Sequence, residues 1–119
     1  MVLITEGLYA IEPFATTGVG SVHDGKPSGI FRLVDKRNAR SQTAREILNF
    51  IIEEYQTLPF CSRWLVKKFG TKSLIGLKQL EENGNLHSYA ELIESSNGKV
   101  AQTEHTILVE KNGIIVTTR

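Results

Sequence analysis

The chain is short of cysteine, of net charge and of long apolar runs, and each shortage removes a class of protein. A single cysteine, Cys61, excludes an internal disulfide and fits a reducing compartment. A formal net charge of +1 gives no global attraction to nucleic acid or to an anionic membrane. Apolar stretches such as Ile114 to Val116 are far too short to span a bilayer. No basic start leads into an apolar segment, so a secretory signal is not expected and a cytoplasmic protein is. Repeats, low-complexity tracts and flexible linkers are also lacking. What remains, 119 residues with 40% apolar and 23% charged, suits one ordinary globular domain able to bury a core.

The first third reads as strands and turns. Leu8 to Phe14 is an apolar, strand-like run with Glu12 inside it, followed by Thr16-Thr17-Gly18-Val19-Gly20, whose glycines mark a turn or a close backbone approach. Ser21 to Asp24 and Ile30 to Val34 read as short strands separated by a turn at Gly25-Lys26-Pro27-Ser28-Gly29. The middle reads as helical. Thr43-Ala44-Arg45-Glu46 matches a capping box, and Ile47, Leu48, Ile51, Ile52 and Tyr55 then recur at helical spacing. Pro59 opens a second element with Cys61, Trp64, Leu65 and Phe69 inward and Gly70 as its stop. Ser73 can cap a third helix carrying Leu74, Leu77 and Leu80, which Asn83-Gly84 closes. Leu86 to Ile93 and Lys99 to Thr103 flank Ser95-Ser96-Asn97-Gly98, the strongest kind of short hairpin signal. A last hairpin joins Thr106–Glu110 to Ile114–Thr118 across Lys111-Asn112-Gly113. Three helices followed by a hairpin make a winged-helix pattern, set here inside strands of a different frame.

Two short carboxylate motifs stand out: Ala10-Ile11-Glu12-Pro13-Phe14-Ala15 and Ala101-Gln102-Thr103-Glu104-His105-Thr106. Each places one glutamate in a strand-like apolar setting, where an unpaired buried charge is costly. Such carboxylates point to a metal, a cationic partner or proton chemistry. The bland alternative is a solvated glutamate at a strand edge.

Taken in order, Ala10 to Gly20, Tyr55 to Leu65 (with Thr57-Leu58-Pro59-Phe60 and Arg63-Trp64-Leu65) and Ala101 to Val109 resemble the C-terminal part of type II methionine aminopeptidases, the archaeal and eukaryotic kind. The resemblance implies an α+β chain, the C-terminal half of the pita-bread (creatinase/aminopeptidase) fold. Residues 1–34 and 99–119 would belong to that catalytic frame, and 35–98 would be an inserted winged-helix-like helical subdomain. It also implies a hydrolase that removes the N-terminal methionine of nascent polypeptides with two divalent metal ions, of the Co, Mn, Fe or Zn kind. By resemblance Glu12 binds one metal and Glu104 bridges both. Hard divalent ions favour carboxylate oxygen, and a water shared by two of them becomes a strong nucleophile near neutral pH. Ile30, the Pro59-Phe60 corner and Tyr89 are placed by the resemblance near an apolar pocket for the methionine side chain. Ala90 stands where many relatives have proline, and Thr103 where an aromatic residue commonly precedes the bridging glutamate.

The family's two metal-binding aspartates, its ligand histidine and its second catalytic histidine all precede the Glu12 motif. Met1-Val2-Leu3 leads almost directly to Glu6-Gly7, and the only aspartates, Asp24 and Asp35, follow Glu12 in turn contexts. The expectation is therefore an incomplete metal site, no catalytic residue assignable in this chain, and little activity by itself. Uncovered strand edges and an apolar face predict self-association or binding to the missing N-terminal half.

Other residues carry less. His105 follows Glu104 in a strand and should point to the opposite face. His23 has no second histidine at ligand spacing, and His87 reads as a wing residue. Cys61 reads as packed core, since no feature of the sequence lowers its pKa. Nucleic-acid binding through the helices, with Lys67, Lys68, Lys72 and Lys78, is opposed by Glu81-Glu82 at the end of the third helix. A second alternative is a non-catalytic pita-bread relative that binds protein or nucleic acid.

Overall fold

A computed structural model describes residues 4–118; Met1-Val2-Leu3, and with them the expected start of the chain, lie outside the described residues. In chain order the elements are β1 (Gly7–Ile11), β2 (Phe14–Thr16), β3 (Val22–Leu33), α1 (Gln42–Glu54), β4 (Phe60–Cys61) and α2 (Ser62–Phe69). Then follow α3 (Lys72–Glu82), β5 (Leu86–Glu94), β6 (Val100–Gln102), β7 (His105–Glu110) and β8 (Gly113–Val116). The chain divides into two compact units, one of residues Met1–His23 and Ile93–Arg119, the other Asp24–Leu92.

In the first unit β1, β7 and β8 form an antiparallel sheet in that order, and β2 pairs with β6. The β1–β7 ladder runs from Gly7 opposite Val109 to Ile11 opposite His105. The β2–β6 ladder runs from Phe14 opposite Gln102 to Thr16 opposite Val100. The two ladders share one register, with no residue gained or lost between them. They are interrupted because Pro13 has no N–H to donate; only the Thr103 N–H crosses here, to Pro13 O at 3.3 Å. Ile107 is the buried centre of this sheet, flanked in register by half-buried Tyr9 and Val116. The β7–β8 hairpin forms where the sequence predicts it, with Glu110 opposite Gly113.

The second unit holds the main apolar core. Ala44, Ile47, Leu48 and Ile51 form the buried stripe of α1, and Leu65, Leu77, Leu80, Phe31 and Phe60 close over it. Gly76 is required by this packing: a Cβ there would run into the Ile47 side chain. Tyr55 stacks on Phe60 at 5.0 Å between ring centres, tying the end of α1 to β4. Asn85, fully buried, donates its amide to the carbonyls of Asp35 and Arg37 and accepts from Asn83. One side chain thus satisfies the carbonyls of the loop that leads from β3 to α1.

Several local expectations are corrected. Ser41, not Thr43, caps α1: its hydroxyl accepts from the Ala44 N–H at 3.1 Å, so the helix begins before the capping box. Ser73 does not cap α3; its hydroxyl donates to Gly70 O from inside the first turn. Gly25–Gly29 is no turn, since β3 runs unbroken from Val22 to Leu33. Pro27 is tolerated because β4 pairs with β3 only at Ile30 and Phe31, leaving the strand open on that side at residue 27. Gly29, at φ +77°, takes up the local kink, and the Ser28 hydroxyl accepts the Ile30 N–H. Trp64 is 52% exposed rather than inward, and Leu74 is exposed as well, because Leu65 and Leu77 take the inward positions of their helices. The Asn97-Gly98 turn closes no hairpin: β5 joins the sheet of β3 and β4, while β6 pairs with β2.

Candidate functional site

Glu12 and Glu104 both lie in the gap between the two ladders of the first unit. Because the register is continuous, Glu12 is directly opposite Glu104, as Pro13 is opposite Thr103. Backbone bonds join the odd-numbered partners here, Thr103 to Pro13 and Thr17 to Lys99. Glu12 and Glu104 are therefore a non-hydrogen-bonded pair, the kind with the closest side chains and both on one face. Two like charges so placed repel weakly in water, and a cation between them would relieve that repulsion. The Gln102 amide offsets part of it, donating to the Glu12 carboxylate at 3.2 Å from the diagonal position.

Both carboxylates are exposed, which corrects the expectation of a buried setting. Leu8 and Phe14, which alternate onto the same face, are exposed too, so the face is apolar around the acids without being covered. His105 sits on the opposite face, and its Nδ1–H donates to Thr118 O at 2.8 Å. Among the described residues no group of three or more histidine, cysteine, aspartate or glutamate side chains is positioned to hold a metal ion. The pair fits a divalent ion in donor type and opposition, and supplies only part of a coordination shell.

In the second unit Ile30, Pro59 and Phe60 border one cavity of about 430 Å³, together with Ser28, Cys61, Ser62, Arg63 and Trp64. Tyr89 does not line it; its carbonyl accepts the Ser28 hydroxyl at 2.7 Å, and its ring meets His87 edge-on. Cys61 is half-buried at the rim, and the Arg63 guanidinium beside it lowers the thiol pKa below its ordinary value. That neighbour, two positions along the sequence, is a signal the sequence reading passed over.

The sequence reading also missed Glu94. It is only 4% exposed and accepts four hydrogen bonds: from Gly20 N–H at 3.1 Å, Ser96 N–H at 2.8 Å, Ser96 Oγ–H at 2.7 Å and Gly98 N–H at 2.8 Å. These donors, the Gly98 N–H first, hold its pKa down at about 2. The glycines at 18, 20 and 98 were the available sign, since backbone that closely approaches an acid must lack side chains.

No family model matches the chain. A methionine aminopeptidase of Pyrococcus abyssi is 46% identical over 112 residues, covering 93% of this chain and 38% of the relative. Those of Archaeoglobus fulgidus and Saccharolobus solfataricus are 44% and 39% identical, each over 99% of this chain and 40% of the relative. The chain thus spans about two-fifths of the length of the curated relatives it matches. Among solved structures a thermophilic Arx1, a pita-bread protein, superposes with a TM-score of 0.78 at 22% identity, over 92% of this chain and 29% of its own. That likeness shows the fold: mixed α and β, three helices and antiparallel sheets. No helix among the described residues is long and apolar enough to cross a membrane.

Proposed function

Since the chain is a homologue, along nearly its whole length, of the archaeal methionine aminopeptidases, we propose that it is the C-terminal part of such an enzyme and contributes Glu12 and Glu104 to a binuclear metal centre. The observation that carries this reading is the direct opposition of the two glutamates on one face. Glu12 would hold one ion and Glu104 would bridge two, with the Gln102 amide fixing the Glu12 carboxylate. Divalent ions bound there would polarise a peptide carbonyl and acidify a water for its hydrolysis. The cavity bordered by Ile30, Pro59 and Phe60 has the apolar walls that a methionine side chain needs, and Tyr89 supports it through Ser28. The helical unit, read as winged-helix-like, serves in this proposal as pocket wall rather than as a nucleic-acid reader.

Two carboxylates are a poor cage for two ions, so the remaining ligands must come from outside the described residues. The exposed face around the acids, with Leu8 and Phe14, supports an N-terminal half that covers it, or failing that a second copy. The setting is the cytoplasm, where nascent chains carry the substrate methionine. The test is hydrolysis of a Met-Ala-Ser peptide in Mn²⁺ or Co²⁺, with and without a separately produced N-terminal half of an archaeal relative. The expected result is activity only with the added half, abolished by Glu104→Gln. Equal activity of Glu104→Gln and the parent chain in the mixture would refute the ligand assignment.

A second reading is a non-catalytic pita-bread relative acting as a protein- or nucleic-acid-binding module, a role compatible with the fold shared with Arx1. Its nucleic-acid form is weaker. Lys68 lies over the Phe50 ring at 3.9 Å, and Lys78 is 3.8 Å from Glu82, so half of the basic set is already engaged. Failure of the mixture to cleave, combined with stable association of the two halves, would favour the binding-module reading.

A further inference from the structure

Glu94 has no role in the chemistry proposed above, yet it is the most heavily bonded carboxylate of the first unit. It is buried without a cation: none of the ion pairs among the described residues includes it. Its charge is offset by N–H groups from two loops far apart in sequence, Gly20 on one side and Ser96 and Gly98 on the other. These loops flank the open end of the β2–β6 ladder. Three more bonds cross at the same place: Thr17 N–H to Lys99 O at 3.1 Å, Lys99 N–H to Thr17 Oγ at 3.0 Å, and Val19 N–H to Ser96 Oγ at 3.2 Å.

The fit is tight on the glycine side. A Cβ on Gly18 would collide with the Glu94 carboxylate, and a Cβ on Gly98 would collide with the Gly18 backbone. The carboxylate therefore acts as a peg into which both loops lock. β2 and β6 need such a peg. They are three residues each and wholly exposed, so burial does little to fix their register. Pro13 also cuts them off from the β1–β7 ladder on their other side. A slip of one residue would set Glu12 against Thr103 or His105 and remove the facing carboxylate.

We propose that Glu94 is a positioning residue: by pegging the loops 18–20 and 96–98 together it fixes the register in which Glu12 faces Glu104. The ligand role of that pair rests on the reading above; the register does not, and the test reads register alone, without metal.

In an antiparallel sheet the α-protons of non-hydrogen-bonded partners nearly touch, so each such pair gives a direct cross-peak in NMR. The two ladders hold five such pairs, and three of them serve as reporters: Leu8–Leu108, Glu12–Glu104 and Phe14–Gln102. Glu94→Ala should lose Phe14–Gln102 and Glu12–Glu104 and keep Leu8–Leu108. Glu94→Gln, which keeps a carbonyl acceptor, should retain them in part. Ser96→Ala removes the hydroxyl's bond to Glu94 and its bond from the Val19 N–H, leaves the three N–H donors to Glu94 in place, and should speed amide exchange at Gly20 and Gly98 by about tenfold. Retention of all three cross-peaks in Glu94→Ala would overturn the proposal. Should Glu94→Ala lose all three, Ser96→Ala decides. Faster exchange at Gly20 and Gly98 with Leu8–Leu108 intact supports the peg. Unchanged exchange, or loss of Leu8–Leu108 there too, makes Glu94 a general stabiliser and refutes it. A positive outcome with no effect of Glu12→Gln on metal binding would leave the peg standing and remove the ligand reading.

Discussion

Replacing Glu104 by glutamine should have opposite effects on the metal-free and the metal-bound chain. Glu12 and Glu104 are directly opposed, so their Cβ atoms are about 5 Å apart and their charges on the order of 6 Å. Both are exposed, so the dielectric is close to that of water and their repulsion is about 0.7 kcal/mol. At 0.15 M salt, with a Debye length of about 8 Å, roughly half of that survives. Glu104→Gln should therefore raise the opening free energy of the metal-free sheet by about 0.3 kcal/mol, and by up to about 0.7 kcal/mol in dilute buffer. The readout is amide exchange at Thr103, whose N–H crosses to Pro13 beside the pair, and at buried Ile107. With Mn²⁺ at ten times its Kd the parent chain should gain about 1.4 kcal/mol, and Glu104→Gln should gain little. A variant less stable than the parent without metal, or stabilised equally by Mn²⁺, would refute the argument that the pair is a strained acceptor for a cation.

Three further outcomes follow from single side chains. Glu94 ionises at about 2 in the folded chain, against an ordinary 4.5. Its contribution is present in full above pH 4.5 and is lost as pH falls from 4.5 toward 2, so acid melting monitored at Tyr9 and Ile107 should flatten over that window in Glu94→Gln. Asn85→Ala leaves the carbonyls of Asp35 and Arg37 without their buried donor and should destabilise the second unit by about 1–3 kcal/mol in urea unfolding followed by Trp64 fluorescence; a value near zero would show that water replaces the amide. Gly76→Ala should cost about 1–3 kcal/mol by the same assay, because the new methyl meets Ile47 where α3 packs on α1.

What was legible in the sequence was what is decided locally. The stripe of Ile47, Leu48 and Ile51 is helical spacing, and the β7–β8 hairpin is two apolar runs around Asn112-Gly113. Glu12 and Glu104 were chosen by resemblance of their motifs, and they stand opposite each other; Ile30, Pro59 and Phe60, chosen in the same way, border one cavity, and Tyr89 does not. What was illegible depends on partners distant in the chain. Glu94 looks like the last residue before a turn, since its Gly20 donor is 74 residues away. The Gly25–Gly29 segment carries every local mark of a turn, yet it runs on as part of β3, the central strand of the β4-β3-β5 sheet. Trp64 has the right spacing to face inward, but Leu65 fills that position, and Trp64 is left at the rim of the cavity.

The same contrast bears on the site. Each glutamate motif reads alike in any exposed strand, and nothing within either motif states that the two will meet. Their opposition is set by a register that runs through ten consecutive positions, held at one end by the buried Ile107 pairing and at the other by the loops around Glu94. Between these anchors Pro13 removes a backbone bond at the step next to the acids. The sheet thus lacks a backbone bond at the step beside the pair, and a ligand that bridged the carboxylates would add a cross-strand link there. Cation binding should accordingly slow exchange at Thr103 more than at Ile107. A uniform effect along the sheet would instead mean that the ion acts on global stability rather than on this gap.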